Sequence, residues 1–351
     1  MKNSWPQVLL WPEPNGSRQE SLPESNAYSI MIADPFSKVT HLLVTPDYGV
    51  ESGNAVDRRM WHYLAEARGS DTGVVLIGFP IDEGVVRNGG RAGAAASPDR
   101  IRTLLSRFTP DARNPDRSLR LLNSVRDLGN IQPAETLEQS QERLAEVVEY
   151  VLSIDCIPII LGGGHETTLG HFLGYRNQTR RPSILNIDSH ADVRALKDGL
   201  GHSGSPFRQA ADAVPGPRTY TVAGLQPSSV AAGHLQFLDK RGFRYFWRDE
   251  VTSRLLQDLL NEQQDPLLVT FDLDVVDHAQ APGVSAPCVN GIDARELLRF
   301  AFECGKSDVV RSFDIVELNP KYDVDNRTAR LAARTVWEFL QGLSERERFE
   351  S

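Results

Sequence analysis

Thiols are scarce in this chain. Its 351 residues include three cysteines, Cys156, Cys288 and Cys304, and none forms a Cys-x-x-Cys pair. That spacing speaks against a disulfide framework and against a thiolate zinc site, and it fits a reducing cytosol. Positive charge is in deficit as well. Thirty-eight Lys and Arg face 47 Asp and Glu, a net charge of -9, which argues against nucleic acid or an anionic membrane as a main partner. No apolar run reaches the length needed to cross a bilayer. The N-terminal stretch MKNSWPQVLLWPEPNGSRQE is broken by prolines and polar residues, so it does not read as a signal peptide. Internal repeats and low-complexity tracts are missing too. What remains, 40% apolar and 24% charged residues, is ordinary globular composition rather than disorder.

The stretch from Pro12 to about Ser25 is rich in Pro, Gly, Ser and Glu. Residues 1–25 are therefore expected to be a polar tail or peripheral segment, and 26–351 one α/β catalytic domain. From about Thr72, short β-branched runs alternate with helical patterns. Strands are predicted at Val74–Phe79, Ile157–Leu161, Ser183–Ile187, Thr219–Ala223, Phe243–Phe246, Leu267–Phe271 and Val309–Ile315. Pro158 marks the start of the second. Leu144, Val147, Val148, Val151 and Leu152 recur at helical spacing, which predicts a helix over about Leu137–Ser153. Further helices are predicted near Asp249–Asn261, Asp293–Phe302 and Asn326–Leu343, the second with Asp293 and Glu296 at capping-box spacing. Ser97 and Pro98 read as N-cap and first-turn proline of another helix. Strands alternating with helices imply βαβ units and a mostly parallel sheet with helices on both faces.

Three predicted strands run into the same kind of cluster. Ile157–Leu161 leads to Gly162-Gly163-Gly164-His165-Glu166, Ser183–Ile187 to Asp188-Ser189-His190-Ala191-Asp192, and Leu267–Phe271 to Asp272-Leu273-Asp274. In parallel sheets ligands sit beyond the carboxyl ends of the strands. Residues two apart on extended backbone share a face, so Asp188, His190 and Asp192 present three ligands together, and Asp272 with Asp274 two more. With His165 the set is four carboxylates and two imidazoles. Packed closely and uncompensated, four carboxylates repel and raise one another's pKa; two divalent cations supply the missing charge. Such oxygen and nitrogen ligands suit manganese, and also admit zinc, iron or nickel. Each motif alone has a plainer reading, a solvated Asp-x-Asp loop or a histidine at a glycine turn. Three of them at strand ends do not. GGGHE lacks the Lys-Ser/Thr of a phosphate-binding P-loop.

On these motifs, GGGHE, DSHAD and TFDLD, with FDIVELNP at Phe313–Pro320 and RTARLAA at Arg327–Ala333, the chain resembles the arginase/agmatinase ureohydrolase family from about Gly78 to Leu343. The resemblance implies a three-layer α/β/α fold, commonly assembled as trimers or hexamers. It implies two manganese ions held by His165, Asp188, His190, Asp192, Asp272 and Asp274, which activate water against a planar C=N carbon. Glu317 would meet the substrate's cationic nitrogen. His202, in GHSGSPFRQ, falls where arginases carry a proton-shuttling histidine, or it is an ordinary loop histidine. Within the family, GFPIDEGVVRNGGRAGAAASPDRIR at Gly78–Arg102 and SGSPFRQ look most like formimidoylglutamases, which hydrolyse N-formimino-L-glutamate to glutamate and formamide in histidine breakdown. Arginases, agmatinases and other guanidino-acid hydrolases, which release urea, are the alternative, and an inactive binding scaffold of the same fold is another. Arg194 stands where arginases place an asparagine near the substrate's α-carboxylate, so it becomes a candidate carboxylate anchor, or else a surface arginine paired with Asp198. Arg91 and Arg208 are rival anchors, and Asn88 is a further candidate substrate contact. Ser189, Thr270 and His278 depart from the family's common alanine, serine and proline.

Overall fold

In the computed structural model the described residues are 34–46, 58–66 and 72–349; the polar tail expected over residues 1–25 lies outside them. Nine strands form one sheet: β1 (Leu43–Val44), β2 (Val74–Gly78), β3 (Val125–Ile131), β4 (Ile157–Leu161), β5 (Ser183–Ile187), β6 (Tyr220–Leu225), β7 (Arg244–Trp247), β8 (Leu267–Asp272) and β9 (Val310–Val316). Their spatial order is β1-β3-β2-β4-β9-β8-β5-β6-β7. Only the β1–β3 pairing is antiparallel; every other pairing is parallel.

Strands β2, β4, β5, β6 and β8 are buried at every position, as a sheet covered on both faces requires. The alternation of side chains makes the layers visible. Leu76 and Ile159 face a core shared with Ile101, Leu297 and Leu340 from the helices Ser97–Leu105, Ala294–Lys306 and Arg327–Leu343. Their neighbours Ile77 and Ile160 face the opposite core, with Leu144, Phe172 and Leu238 from Leu137–Ser153, Thr167–Leu173 and Ala232–Arg241. The result is the three-layer α/β/α arrangement expected. No helix among the described residues is long and apolar enough to cross a membrane.

Most predicted elements stand within a residue or two of where the pattern puts them. Besides the helix expected from Asp249, which begins at Ser253, and the one expected to end at Phe302, which runs on to Lys306, two readings differ for identifiable reasons. Ser97 is not an N-cap. The 3-10 turn Ala94–Ala96 runs straight into the helix, so Ser97 is its first residue and its hydroxyl has no partner. Strand β3 is not among the predicted strands because VRDLGNI carries polar residues inside it; Asp127 there pairs with the buried guanidinium of Arg102.

Candidate metal centre

The strands that carry the motifs are neighbours. β4, β9, β8 and β5 lie side by side in the middle of the sheet, and their carboxyl ends deliver His165, Glu317, Asp272 with Asp274, and Asp188 with His190 and Asp192 to one place. The glycines before His165 serve close packing. A Cβ on Gly163 would lie 1.9 Å from the Ile81 carbonyl oxygen, and one on Gly164 2.1 Å from a Glu166 carboxylate oxygen.

Two groups of side chains there have ligand atoms within 4.8 Å of one another: His165, Asp188, Asp192 and Asp272 form one, and Asp188, His190 and Asp274 the other. Asp188 belongs to both. His165 Nδ1 stands 3.4, 3.0 and 3.2 Å from oxygens of Asp188, Asp192 and Asp272, yet it makes no hydrogen bond of acceptable geometry. One nitrogen among three carboxylates, bonded to none, has the form of a coordination sphere. His190 Nδ1 lies 3.1 Å from Asp274 and 3.5 Å from Asp188. The carboxylates are themselves held: Asn186 Nδ2 and the His190 amide donate to Asp188 at 2.9 and 2.7 Å, Ser189 Oγ to Asp274 at 2.7 Å, and the Asp274 amide to Asp272 at 2.8 Å. Partners of this kind fix ligand orientation. Asp192 and Glu317 both have left-handed backbone, φ 44° and 67°, a strained state for residues other than glycine that gathers at functional sites.

The electrostatics describe a cluster short of positive charge. Burial, then repulsion from neighbouring aspartates, pushes the carboxyls of Asp192 and Asp272 up. Burial opposes ionisation of Asp188 too, but the imidazoles of His165 and His190 outweigh it and hold that carboxyl below its usual range. His165, despite complete burial, is raised by the three aspartates around it, and His190 chiefly by Asp274. Without metal, protons do the neutralising. Four carboxylates, two imidazoles and no thiolate form a donor set that fits two hard or borderline divalent cations.

A small cleft opens onto these groups. Its lining includes His190, Asp192, Asp272, Asp274 and Glu317, with Val85, Asn88, Arg194, Ser203 and Ser285 around them. Glu317 Oε1 accepts from the His165 amide at 2.7 Å, while Oε2 is buried without a hydrogen-bond partner. Burial drives its carboxyl up to about 7, against the nearby Ser285 hydroxyl and that amide, which act the other way. Arg194 is exposed at the mouth, donates to Asn88 Oδ1 at 3.3 Å, and has no carboxylate partner among the described residues, Asp198 included. Asn88 Nδ2 donates in turn to Ser203 Oγ at 3.2 Å.

Three other candidates are not brought to the cleft. Arg91 donates to the carbonyls of Val284 and Ser285 and lies over the Tyr322 ring, so it holds the loop behind the site. Arg208 spends its Nε on the carbonyls of Val193 and Arg194 and stacks on Phe237, supporting the backbone that bears Asp192. His202 is buried, with Nε2 3.0 Å from the Ala195 carbonyl and Nδ1 accepting from the Gly204 amide. Both ring nitrogens are occupied, which leaves none for a proton shuttle. Two residues beside the site are given no role by the sequence motifs. Ser285 carries no motif. Glu166 follows His165 directly, and its buried carboxyl accepts from the Gly84 amide at 2.7 Å and is pushed up to about 8, by burial and then by Glu317.

Comparison with known proteins bears on this geometry. A sequence profile described as the Arginase family matches residues 72–341. The chain is 35% identical over 300 residues to a formimidoylglutamase of Nocardia farcinica, covering 82% of this chain and 93% of that one. It is 37% identical over 322 residues to one of Rhodococcus jostii, covering 84% and 95%. Among solved structures, Trypanosoma cruzi formiminoglutamase with Mn2+2 superposes with a TM-score of 0.76 at 32% identity, covering 83% of this chain and 99% of that one. Profile, relatives and the layered sheet with its clustered aspartates and histidines agree: this chain belongs to the arginase family.

Proposed function

We propose that the protein is a manganese-dependent hydrolase that converts N-formimino-L-glutamate and water to L-glutamate and formamide. The observation that carries this reading is the pair of ligand groups sharing Asp188 and opening on a cleft with Glu317 inside and Arg194 at its mouth. The formimidoylglutamase relatives and the manganese-bearing Trypanosoma structure support the substrate and the metal. We assign His165, Asp188, Asp192 and Asp272 to one ion, and Asp188, His190 and Asp274 to the other.

Bound there, two manganese ions would make water nucleophilic near neutral pH and stabilise charge as it develops. The chain's own groups do the rest. Glu317 Oε2, buried and unpartnered, is a carboxylate site for the cationic amidinium nitrogen. The Arg194 guanidinium reaches toward a substrate carboxylate, with Asn88 bracing it. Water adds to the formimino carbon, the bond from that carbon to the glutamate nitrogen breaks, and the nitrogen leaves as an amine with a proton from the water. Agmatine has no carboxylate for Arg194 to meet.

The domain reading accompanies this function: residues 26–351 act as one catalytic domain in the cytosol, assembled as trimers or hexamers as in the wider family. Manganese-loaded protein offered formiminoglutamate, arginine, agmatine and guanidino acids separately tests the function, with formamide and urea assayed in parallel. Formamide from the first substrate is expected. Urea from any of the others at a higher kcat/KM would overturn the assignment.

A further inference from the structure

Behind His165, on the side away from the cleft, runs a chain of buried polar groups that the reaction itself does not use. His165 Nε2 lies 3.1 Å from Thr270 Oγ1, and Thr270 Oγ1 3.2 Å from Thr168 Oγ1. Thr168 Oγ1 is 3.1 and 3.3 Å from the two carboxylate oxygens of Asp314. From the far side, His171 Nδ1 meets Asp314 Oδ2 at 2.6 Å, Ser312 Oγ meets His171 Nε2 at 2.6 Å, and Tyr175 OH meets Ser312 Oγ at 2.6 Å. All these side chains are buried, at 4% exposure or less. Local structure puts them together. Thr168 and His171 are three apart in the helix Thr167–Leu173 and so share a face. Ser312 and Asp314 are two apart on β9, and Asp314 pairs in register with Thr270 on β8.

Counting protons gives the chain a direction. A carboxylate only accepts, and each hydroxyl has one proton to donate. Thr168, against Asp314, therefore gives its proton to that carboxylate. Thr270 then has Thr168 as an acceptor and donates there. With its proton so committed, Thr270 can only accept from the other neighbour, which is His165 Nε2. His165 must carry a proton on Nε2, and its Nδ1 lone pair is left facing Asp188, Asp192 and Asp272. The opposite branch closes the same way. Burial pushes the Tyr175 phenol up, so it stays a donor to Ser312, Ser312 donates to His171 Nε2, and His171 donates through Nδ1 to Asp314. Both branches point at one carboxylate, and every donor in them is used.

We infer that Asp314, acting through Thr168 and Thr270, is a positioning device that presents His165 to the metal as an Nδ1 ligand with a fixed ring orientation. The inference rests on the proposed metal centre. It adds that the manganese affinity of the His165 group depends on Thr168, a residue that touches neither metal nor substrate. Second-layer partners of ligating histidines typically account for about 10- to 100-fold in metal affinity, and the Phe207 ring, packed edge-to-face with centroids 5.2 Å apart, steadies the imidazole without supplying an acceptor.

The test is Thr168→Val, which keeps the shape and removes the proton, beside Thr168→Ser, which keeps the hydroxyl. Manganese binding to metal-free protein is followed by loss of the free-ion paramagnetic resonance signal, and melting of the metal-free proteins is recorded as a control. Wild type should bind two equivalents. In Thr168→Val one equivalent should weaken by about tenfold or more while the other shifts little, and Thr168→Ser should stay within about twofold of wild type. At saturating manganese, KM should be unchanged in both. If valine does not allow folding, Thr168→Ala carries the same comparison. A lower melting temperature with both affinities unmoved would mean a purely structural role and would overturn the inference alone. Wild type that binds no manganese would overturn the metal centre and the relay with it.

Discussion

Replacing Arg194 by alanine tests how the enzyme selects a dicarboxylate. A buried arginine–carboxylate pair, once broken, costs roughly 2–5 kcal/mol. Arg194 is not buried. It stands exposed at the cleft mouth, where among the described residues its guanidinium makes a single 3.3 Å hydrogen bond, to Asn88, so water takes over part of its role when it is lost. A charged hydrogen bond contributes about 1.5–3 kcal/mol, and discounting for exposure leaves roughly 1–2 kcal/mol. At about 1.4 kcal/mol per decade that corresponds to a rise in KM of about 5- to 30-fold. Because the Arg194 side chain makes no hydrogen bond or ion pair with a proposed ligand among the described residues, kcat at saturation and manganese content should stay close to wild type. Steady-state kinetics on formiminoglutamate, with metal analysis of the same samples, provide the numbers. The contribution should also shrink at high salt, since an exposed pair is screened. Unchanged KM would remove Arg194 from substrate recognition; a fall in kcat with unchanged KM would place its effect in the reaction step instead.

Manganese at about 100 times its Kd should stabilise the fold by roughly 2.7 kcal/mol per site, seen as a higher melting temperature that a chelator reverses together with activity; active, extensively dialysed protein free of metal would refute this. Asp272→Ala and His190→Ala should each abolish turnover and lower manganese content while circular dichroism stays near wild type, and near-normal turnover in either would undo the ligand assignment. Metal-free protein should lose stability as pH rises. Glu166 ionises at its ordinary value near 4.5 in the unfolded chain but only at about 8 when folded, so its contribution is complete below about 4.5 and is lost between there and about 8. Glu166→Gln, which mimics the protonated acid and can still accept from the Gly84 amide, should flatten the melting-temperature profile across that window. A profile as steep as wild type would show that Glu166 is not its source.

The proposed metal ligands are legible in the linear chain because they lie within a few residues of strand ends, although extended alternation does not carry through them: Asp192 has left-handed backbone and Asp274 lies in a 3-10 turn. Asp188, His190 and Asp192 are one local unit, as are Asp272 and Asp274, and each follows an apolar run that has to be a buried strand. The capping box at Asp293 and Glu296 is legible on the same local grounds. Strand β3 is not, because Arg126 and Asp127 break the apolar pattern that a strand near the sheet edge does not need.

What the linear order leaves undecided is everything that depends on which distant segments meet. Arg91, Arg194 and Arg208 look alike in sequence as free cations near the motifs; the fold ties two of them to backbone carbonyls and leaves Arg194 facing the cleft. His202 has the right neighbourhood for a shuttle, yet the Ala195 carbonyl and Gly204 amide take both its nitrogens. Glu317 raises the carboxyl of Glu166, 151 positions away in the chain, only because β9 inserts beside β4. The Asp314 chain exists only because β8 and β9 pair in register under the helix that follows His165. Residue type and local periodicity are enough to specify the chemistry on offer, four carboxylates and two imidazoles at strand ends. Which polar groups stay free to use it is a property of the packed molecule, because a hydrogen-bonding group is committed by whatever partner the packing brings within reach.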